Sequence, residues 1–299
     1  MKVFVTGATG FVGRSVAARL IEDGHDVRCL VRHEESDEAA YLRGLGAKLS
    51  MGDILDAGTF IHAVKGSQAL IHLVGIIFER RGASFHEIHV HGTMNALAAA
   101  ATNKVERFVY MSALGTGPEA KSVYHQTKWE AEAAVRSSNI PYTIFRPSTI
   151  FGAESELFQM LFGQVRRLPF VPVIGDGRYR MQPIAVGDVA ACFSNCIDNG
   201  KAAGKTYELG GPEALSYNEV IDIICRVMGR RRRKLHSPVS LVKPVAWLSE
   251  RMQGKPMLTT DQLTMLLNDN VCDITAMRAE LRVEPVGLEA GLREMLHPE

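Results

Sequence analysis

Residues Lys2 to Gly13 read K-V-F-V-T-G-A-T-G-F-V-G, and few folds accept that order. Val3, Phe4 and Val5 form an apolar run with no polar interruption, as expected of a strand buried on both faces of a parallel sheet. Gly7, Gly10 and Gly13 follow as G-x-x-G-x-x-G. Val12, Val16, Leu20 and Ile21 then recur at helical spacing until Gly24. Strand, glycine turn and helix are the context a phosphate-binding turn needs. The helix N-terminus carries unpaired N–H groups and partial positive charge, and the glycines leave the backbone open to an anion. The plainer alternative is an ordinary tight turn between strand and helix. The reading adopted is dinucleotide binding.

At 299 residues, with 46% hydrophobic and 22% charged residues, the chain is long enough for one large domain or one domain with a small lobe. The formal net charge of +1 gives no global attraction for nucleic acid, so none is expected as a partner. Lys2 leads directly into the glycine turn, without the apolar segment of a secretion signal. The expected address is the cytoplasm. Cys29, Cys192, Cys196, Cys225 and Cys272 form no C-x-x-C pair and are expected to be reduced, mostly buried thiols.

Further strands are expected at Val27 to Val31, Ala47 to Met51, Ala69 to Val74 and Arg107 to Ser112, alternating with helices. Arg32 ends the second strand, about 20 residues after the glycines, where an acid would take a ribose 2′-hydroxyl and an arginine accommodates a 2′-phosphate. It points to NADP(H), with His33 assisting and NAD(H) as the alternative. Asp53 either reaches an adenine or caps the short helix after it. Gly75 lets the backbone pass close to a ligand. His86, His89 and His91 have no neighbouring ligand set, so no metal site is expected. Tyr124 and Lys128, four apart at the start of a helix, project from one face.

Taken together, Gly7 to Gly13, Asp53, Ser112, Tyr124-x-x-x-Lys128 and Arg146-Pro147-Ser148-Thr149 resemble the extended or atypical short-chain dehydrogenase/reductase superfamily, related to NAD-dependent epimerases and dehydratases. Within it, Ser112 to Gly115, the Y-H-Q-T-K helix and R-P-S-T-I-F-G are most similar to the nucleotide-binding accessory subunit of respiratory complex I and its bacterial relatives. The resemblance implies an α/β fold, a doubly wound parallel sheet of Rossmann type with a smaller C-terminal α+β lobe. Residues 1–152, with a return at about 182–200, would form the dinucleotide domain, and residues 153–181 and 201–299 the lobe. It implies that Gly7, Thr9, Gly10, Phe11, Val12, Gly13, Arg32, His33, Asp53, Ile54, Val74, Gly75, Pro147, Ser148 and Thr149 contact the cofactor. Tyr124 would be the acid/base for hydride transfer at a carbonyl or alcohol carbon. Lys128 would hold the nicotinamide ribose and lower the phenol's pKa, and Ser112 would orient the substrate oxygen.

Two positions depart from that pattern. Depending on alignment, the catalytic hydroxyl position falls on Ala113, and the motif N-x-x-G-T-x-N reads His89 to Asn95, with His89 replacing its first asparagine. The alternatives are therefore a sugar-nucleotide epimerase, dehydratase or reductase, or a catalytically weak cofactor-binding assembly or sensor protein. No substrate is legible.

After Gly152, Phe158 to Phe162 and Val165 make an apolar helical stripe. Gly175-Asp176-Gly177 reads as a turn, Asp188 as a helix cap, Tyr207 to Gly211 as a strand, and Ser216 with Glu219 as a capping box. Arg230 to Lys234, R-R-R-R-K, reads either as a solvated loop or as a contact with an anionic membrane surface or acidic protein partner. In the second case the amphipathic stretch carrying Val242, Val245, Trp247, Leu248 and Met252 would join it, at the inner face of the membrane.

Overall fold

The computed structural model describes residues 1–80, 82–251 and 258–296. In chain order it begins β1 (Lys2–Thr6), α1 (Phe11–Glu22), β2 (Asp26–Val31), α2 (Asp37–Gly44), β3 (Lys48–Met51), α3 (Ala57–Val64) and β4 (Ala69–His72). A π-helical turn at His86–His91 runs into α4 (Gly92–Thr102), followed by β5 (Arg107–Met111), α5 (Val123–Ser137) and β6 (Tyr142–Pro147). Next come β7 (Ile150–Phe151), α6 (Glu156–Arg167), β8 (Phe170–Ile174), β9 (Arg180–Met181), β10 (Ile184–Ala185), α7 (Val186–Ile197) and β11 (Lys205–Leu209). The last elements are β12 (Leu215–Ser216), α8 (Tyr217–Val227), β13 (Arg233–Ser237), α9 (Val239–Arg251), α10 (Thr260–Leu266), α11 (Thr275–Leu281) and α12 (Leu288–Leu296).

Two compact units result. The first comprises Met1–Pro147, Gly187–Glu208 and Thr275–Glu284, the second Ser148–Val186, Leu209–Ile274 and Pro285–Glu299. A seven-stranded sheet in the order β11-β6-β5-β4-β1-β2-β3 organises the first, and its pairings from β1 to β6 are parallel. This is the doubly wound, Rossmann-like arrangement that alternating strands and helices produce. Phe4, Leu70, Phe108 and Ile144 fill one face under Phe60 and Val135, and the alanines Ala96, Ala99 and Ala100 let α4 close on the strands. The segment containing α11 also belongs to this unit. Asn195 and Asn199 donate to the carbonyls of Leu281 and Glu280, and Lys205 pairs with Glu280 at 2.6 Å.

The second unit has its own core, in which Phe158, Leu161 and Val165 pack with Val173, Ile221, Ile224 and Leu292. The expected capping box is present: Ser216 and Glu219 exchange side-chain and backbone hydrogen bonds at the start of α8. Three local expectations are corrected. Asp53 does not cap α3. Asp56 does, accepting from the N–H groups of Gly58 and Thr59, while Asp53 closes a turn with the Leu55 N–H. Asp188 lies inside the first turn of α7, which begins two residues earlier. The basic run is not wholly a loop, because Arg233 and Lys234 enter β13, paired in parallel with β8. Met252 lies outside the described residues.

Candidate functional site

The site is built from the ends of the parallel strands in the first unit. Gly7, at φ +74°, turns the chain out of β1, and the Gly10 N–H donates to its carbonyl at 3.1 Å. A methyl group on Gly13 would stand 2.0 Å from the Gly7 oxygen, so the third glycine sets the helix against the turn. Gly10 is the N-cap of α1 with no side-chain hydrogen bond, and no acidic residue follows in the first turn. The N–H groups of Phe11, Val12 and Gly13 therefore stay open to an anion, as a pyrophosphate requires. Arg14 stabilises the turn by donating to the Thr9 carbonyl at 2.6 Å. Arg32 and His33 are exposed immediately beyond β2.

The loop carrying Asp53 and Ile54 is fixed from the helix that follows β4. Asn95 donates to the Ile54 carbonyl at 2.8 Å, Gly92 leaves room for the Ile54 side chain, and Thr93 donates to the His89 carbonyl at 2.6 Å. This gives the G-T-x-N residues a structural reason.

His89 is buried. Its Nδ1 lies 2.9 Å from the Thr127 hydroxyl, and its Nε2 lies 3.1 Å from both the backbone nitrogen and the carbonyl oxygen of Ile76. The Thr127 hydroxyl also reaches the carbonyls of Val123 and Tyr124. In its neutral form the ring donates from one nitrogen and accepts at the other, so it can join Thr127 and Ile76 in either tautomer. Burial, with the nearby Lys128 charge, pushes the His89 pKa down to about 2, so the ring is neutral. His89 thus pins the loop holding Val74, Gly75 and Ile76 to the Tyr124 helix.

Lys128 is 1% exposed and donates to the Met111 carbonyl at 3.0 Å. Its Nζ stands 5.1 Å above the centre of the Tyr110 ring. A methyl on Gly75 would approach that nitrogen to 3.1 Å. Burial lowers the Lys128 pKa to about 7, and burial pushes the Tyr124 phenol up to about 12. Tyr124 sits edge-on to the rings of Phe85 and His89.

One turn beyond Lys128, Glu132 is fully buried and receives a two-pronged contact from Arg146 at 2.7 and 2.8 Å, with Arg136 on the same carboxylate. Burial opposes ionisation of Glu132, but the Arg146 guanidinium, helped by Arg136, outweighs it and holds the carboxyl below its usual range. Ser112 donates to the Thr116 hydroxyl at 3.4 Å.

The structure brings the glycine turn, Asp53, Ile54, Val74, Gly75, Ser112, Tyr124, Lys128 and Pro147 into one unit. Ser148 and Thr149 open the other, where Ser148 donates to Asn270. Sequence reasoning missed Arg14, Thr127 and Glu132. Glu132 had a signal, because a carboxylate four residues after Lys128 shares its helix face.

The profile of the NmrA-like family matches residues 1–266. The mitochondrial NADH dehydrogenase [ubiquinone] 1 alpha subcomplex subunit 9 of Arabidopsis thaliana is 30% identical, over 92% of this chain and 71% of that protein. The 2-alkyl-3-oxoalkanoate reductase of Stenotrophomonas maltophilia is 25% identical, over 99% and 98%. Among solved structures, the UDP-glucose 4-epimerase of Thermotoga maritima superposes with a TM-score of 0.78 at 19% identity, over 99% of this chain and 97% of that one.

Proposed function

The chain belongs to the NmrA-like family, among NAD(P)-dependent reductase- and epimerase-like proteins, and from that premise we propose that it binds NADP(H) and reduces a carbonyl group on a small molecule, with Tyr124 as the proton donor. The observation that carries this reading is the placement of an uncapped helix N-terminus after β1 and the Tyr124–Lys128 pair after β5 along one sheet edge. The strand order reverses between β1 and β4, and open parallel sheets bind ligands at such a reversal. Gly7 to Gly13 would receive the pyrophosphate, Arg32 and His33 the 2′-phosphate, Asp53 and Ile54 the adenine, and Val74, Gly75 and Pro147 the nicotinamide side. The nicotinamide, when bound, supplies hydride to the carbonyl carbon.

The protein's part is the proton. Tyr124, raised to about 12 by burial, keeps its proton at neutral pH and is suited to deliver it from Oη to an oxygen gaining negative charge. Lys128, near 7, is partly charged and stabilises the phenolate left behind. Ala113 has no hydroxyl, so substrate orientation falls on Tyr124 and Ser112. The name of the Stenotrophomonas relative agrees with carbonyl reduction.

A second reading, a cofactor-holding component of a respiratory assembly, is favoured by Ala113 at the catalytic hydroxyl position and by the Arabidopsis relative. In either case we place the chain in the cytoplasm, with a protein or membrane contact through the Arg230 to Lys234 region.

Two substitutions test the reading. Tyr124→Phe is expected to lower kcat for NADPH-dependent carbonyl reduction roughly 100-fold or more, with NADPH affinity nearly unchanged. Unchanged turnover removes Tyr124 from the chemistry, and tight NADPH binding without turnover by the wild type favours the second reading. Arg32→Asp is expected to weaken NADPH about tenfold and leave NADH alone, as loss of a charge-assisted phosphate contact would. An equal effect on both cofactors contradicts the NADP(H) preference.

A further inference from the structure

Helix α9 in the second unit exposes an apolar face. Leu241, Val245 and Leu248 recur at i, i+4 and i+7 on one face and are 68%, 66% and 57% exposed, with Trp247 beside them at 50%. Ala246, on the other side, is buried. Of the polar groups, Ser249 is half-buried, while Lys243 and Glu250 remain exposed. Ser249 donates to the carbonyls of Ala246 and Leu258, and the Glu250 carboxylate accepts from the backbone and hydroxyl of Thr260. A surface helix ordinarily buries such an apolar stripe.

The strand entering this helix carries the charge. In the run from Arg230 to Lys234, Arg232 donates to the Val165 carbonyl and Lys234 is paired with Asp222 at 2.6 Å. Arg230, Arg231 and Arg233 are exposed and make no ion pair among the described residues, and Lys243 adds an exposed cation on α9 itself. Leu235 and Phe170, on the paired strands β13 and β8, are also exposed.

We propose that α9 lies flat in the surface of an anionic lipid bilayer, with Leu241, Val245, Trp247 and Leu248 among the upper acyl chains and Arg230, Arg231, Arg233 and Lys243 at the headgroup phosphates. The chemistry favours lipid over an acidic protein partner. The face offers aliphatic side chains, an indole and unpaired cations without a patterned set of hydrogen-bond donors and acceptors, which is the composition of an interfacial helix. At 13 residues, α9 is about 20 Å long, too short to span a bilayer, and no described helix is long and apolar enough to cross one. The inference concerns the second unit alone and is independent of the cofactor reading.

The test is flotation of the full chain with vesicles of phosphatidylcholine alone or mixed with phosphatidylglycerol, at low and high salt. The wild type is expected to float with the mixed vesicles at least tenfold more than with the neutral ones, to lose that preference at high salt, and to shift its Trp247 emission to the blue in a Trp129→Phe background. Arg230→Ala/Arg231→Ala/Arg233→Ala is expected to abolish the anionic preference. Leu241→Ser/Leu248→Ser, at exposed positions, is expected to lose flotation with an unchanged thermal midpoint. No flotation of the folded wild type with anionic vesicles overturns the proposal. So does a homodimer in solution that the Leu241→Ser/Leu248→Ser variant dissolves, because the apolar face would then be a protein interface.

Discussion

Gly13 has no room for a methyl group. Its β-carbon would fall 2.0 Å from the Gly7 oxygen and 2.6 Å from the Ala8 Cα, both backbone atoms that cannot rotate away. Gly10 differs, since a methyl there meets only the Gly7 oxygen, at 3.3 Å. Gly13→Ala should therefore destabilise the fold by about 3 kcal/mol, the upper range for overpacking, whereas Gly10→Ala should fold normally and act on ligand affinity. Thermal unfolding of the two variants measures the difference, and equal midpoints would contradict it. The spacing of these glycines was legible in the sequence, but their division of labour was not, because it depends on which backbone atoms each glycine faces. Ser112 shows the same limit. Its place after β5 was readable, while its contact with the Thr116 hydroxyl depends on how the following loop turns back.

At the scale of elements, the π-helical turn before α4 brings His89 between two other segments. Its Nε2 meets the Ile76 backbone after β4, and its Nδ1 reaches Thr127 on α5. His89→Ala would leave the Ile76 backbone without that partner and open a cavity, at a cost of about 2–4 kcal/mol. Amide exchange at Ile76 should accelerate with it, and unchanged protection there would show that the histidine does not hold the loop. Strand and helix identities around this bridge were legible because apolar runs and glycines punctuate them. The strand ends were less so. Leu73 and Val74 read as a continuation of β4, yet the ladder stops at His72 and the chain turns toward Gly75. The basic run is only partly a loop, since Arg233 and Lys234 pair with β8 while Arg230 to Arg232 stay outside the strand. The return of α11 to the first unit rests on asparagine-to-carbonyl contacts that leave no periodic trace.

For the whole molecule, the buried ionisable groups dictate how stability follows pH. Burial lowers the His72 pKa to about 3 and the His89 pKa to about 2, so neither takes up a proton in the folded state near pH 6, whereas the unfolded chain does. Their contribution is present above about pH 6.5 and is lost as the pH falls below it. Lys128 is also depressed, to about 7. Below that value it is charged in both states and the folded protein bears the burial penalty. Above it only the unfolded chain stays protonated, so stability rises with pH, by on the order of 1 kcal/mol per unit. The thiols act in the other direction. Burial raises Cys29, Cys192 and Cys196, so above about pH 8.5 the unfolded chain ionises while the folded one does not, and stability falls. Denaturant titrations from pH 5 to 10 should therefore give a maximum near pH 8–9. Lys128→Met should remove the rise between pH 7 and 8.5 and leave the acid limb, which belongs to the histidines. If the variant keeps the rise, Lys128 is not the group responsible, and its depressed pKa cannot be part of how the site prepares Tyr124.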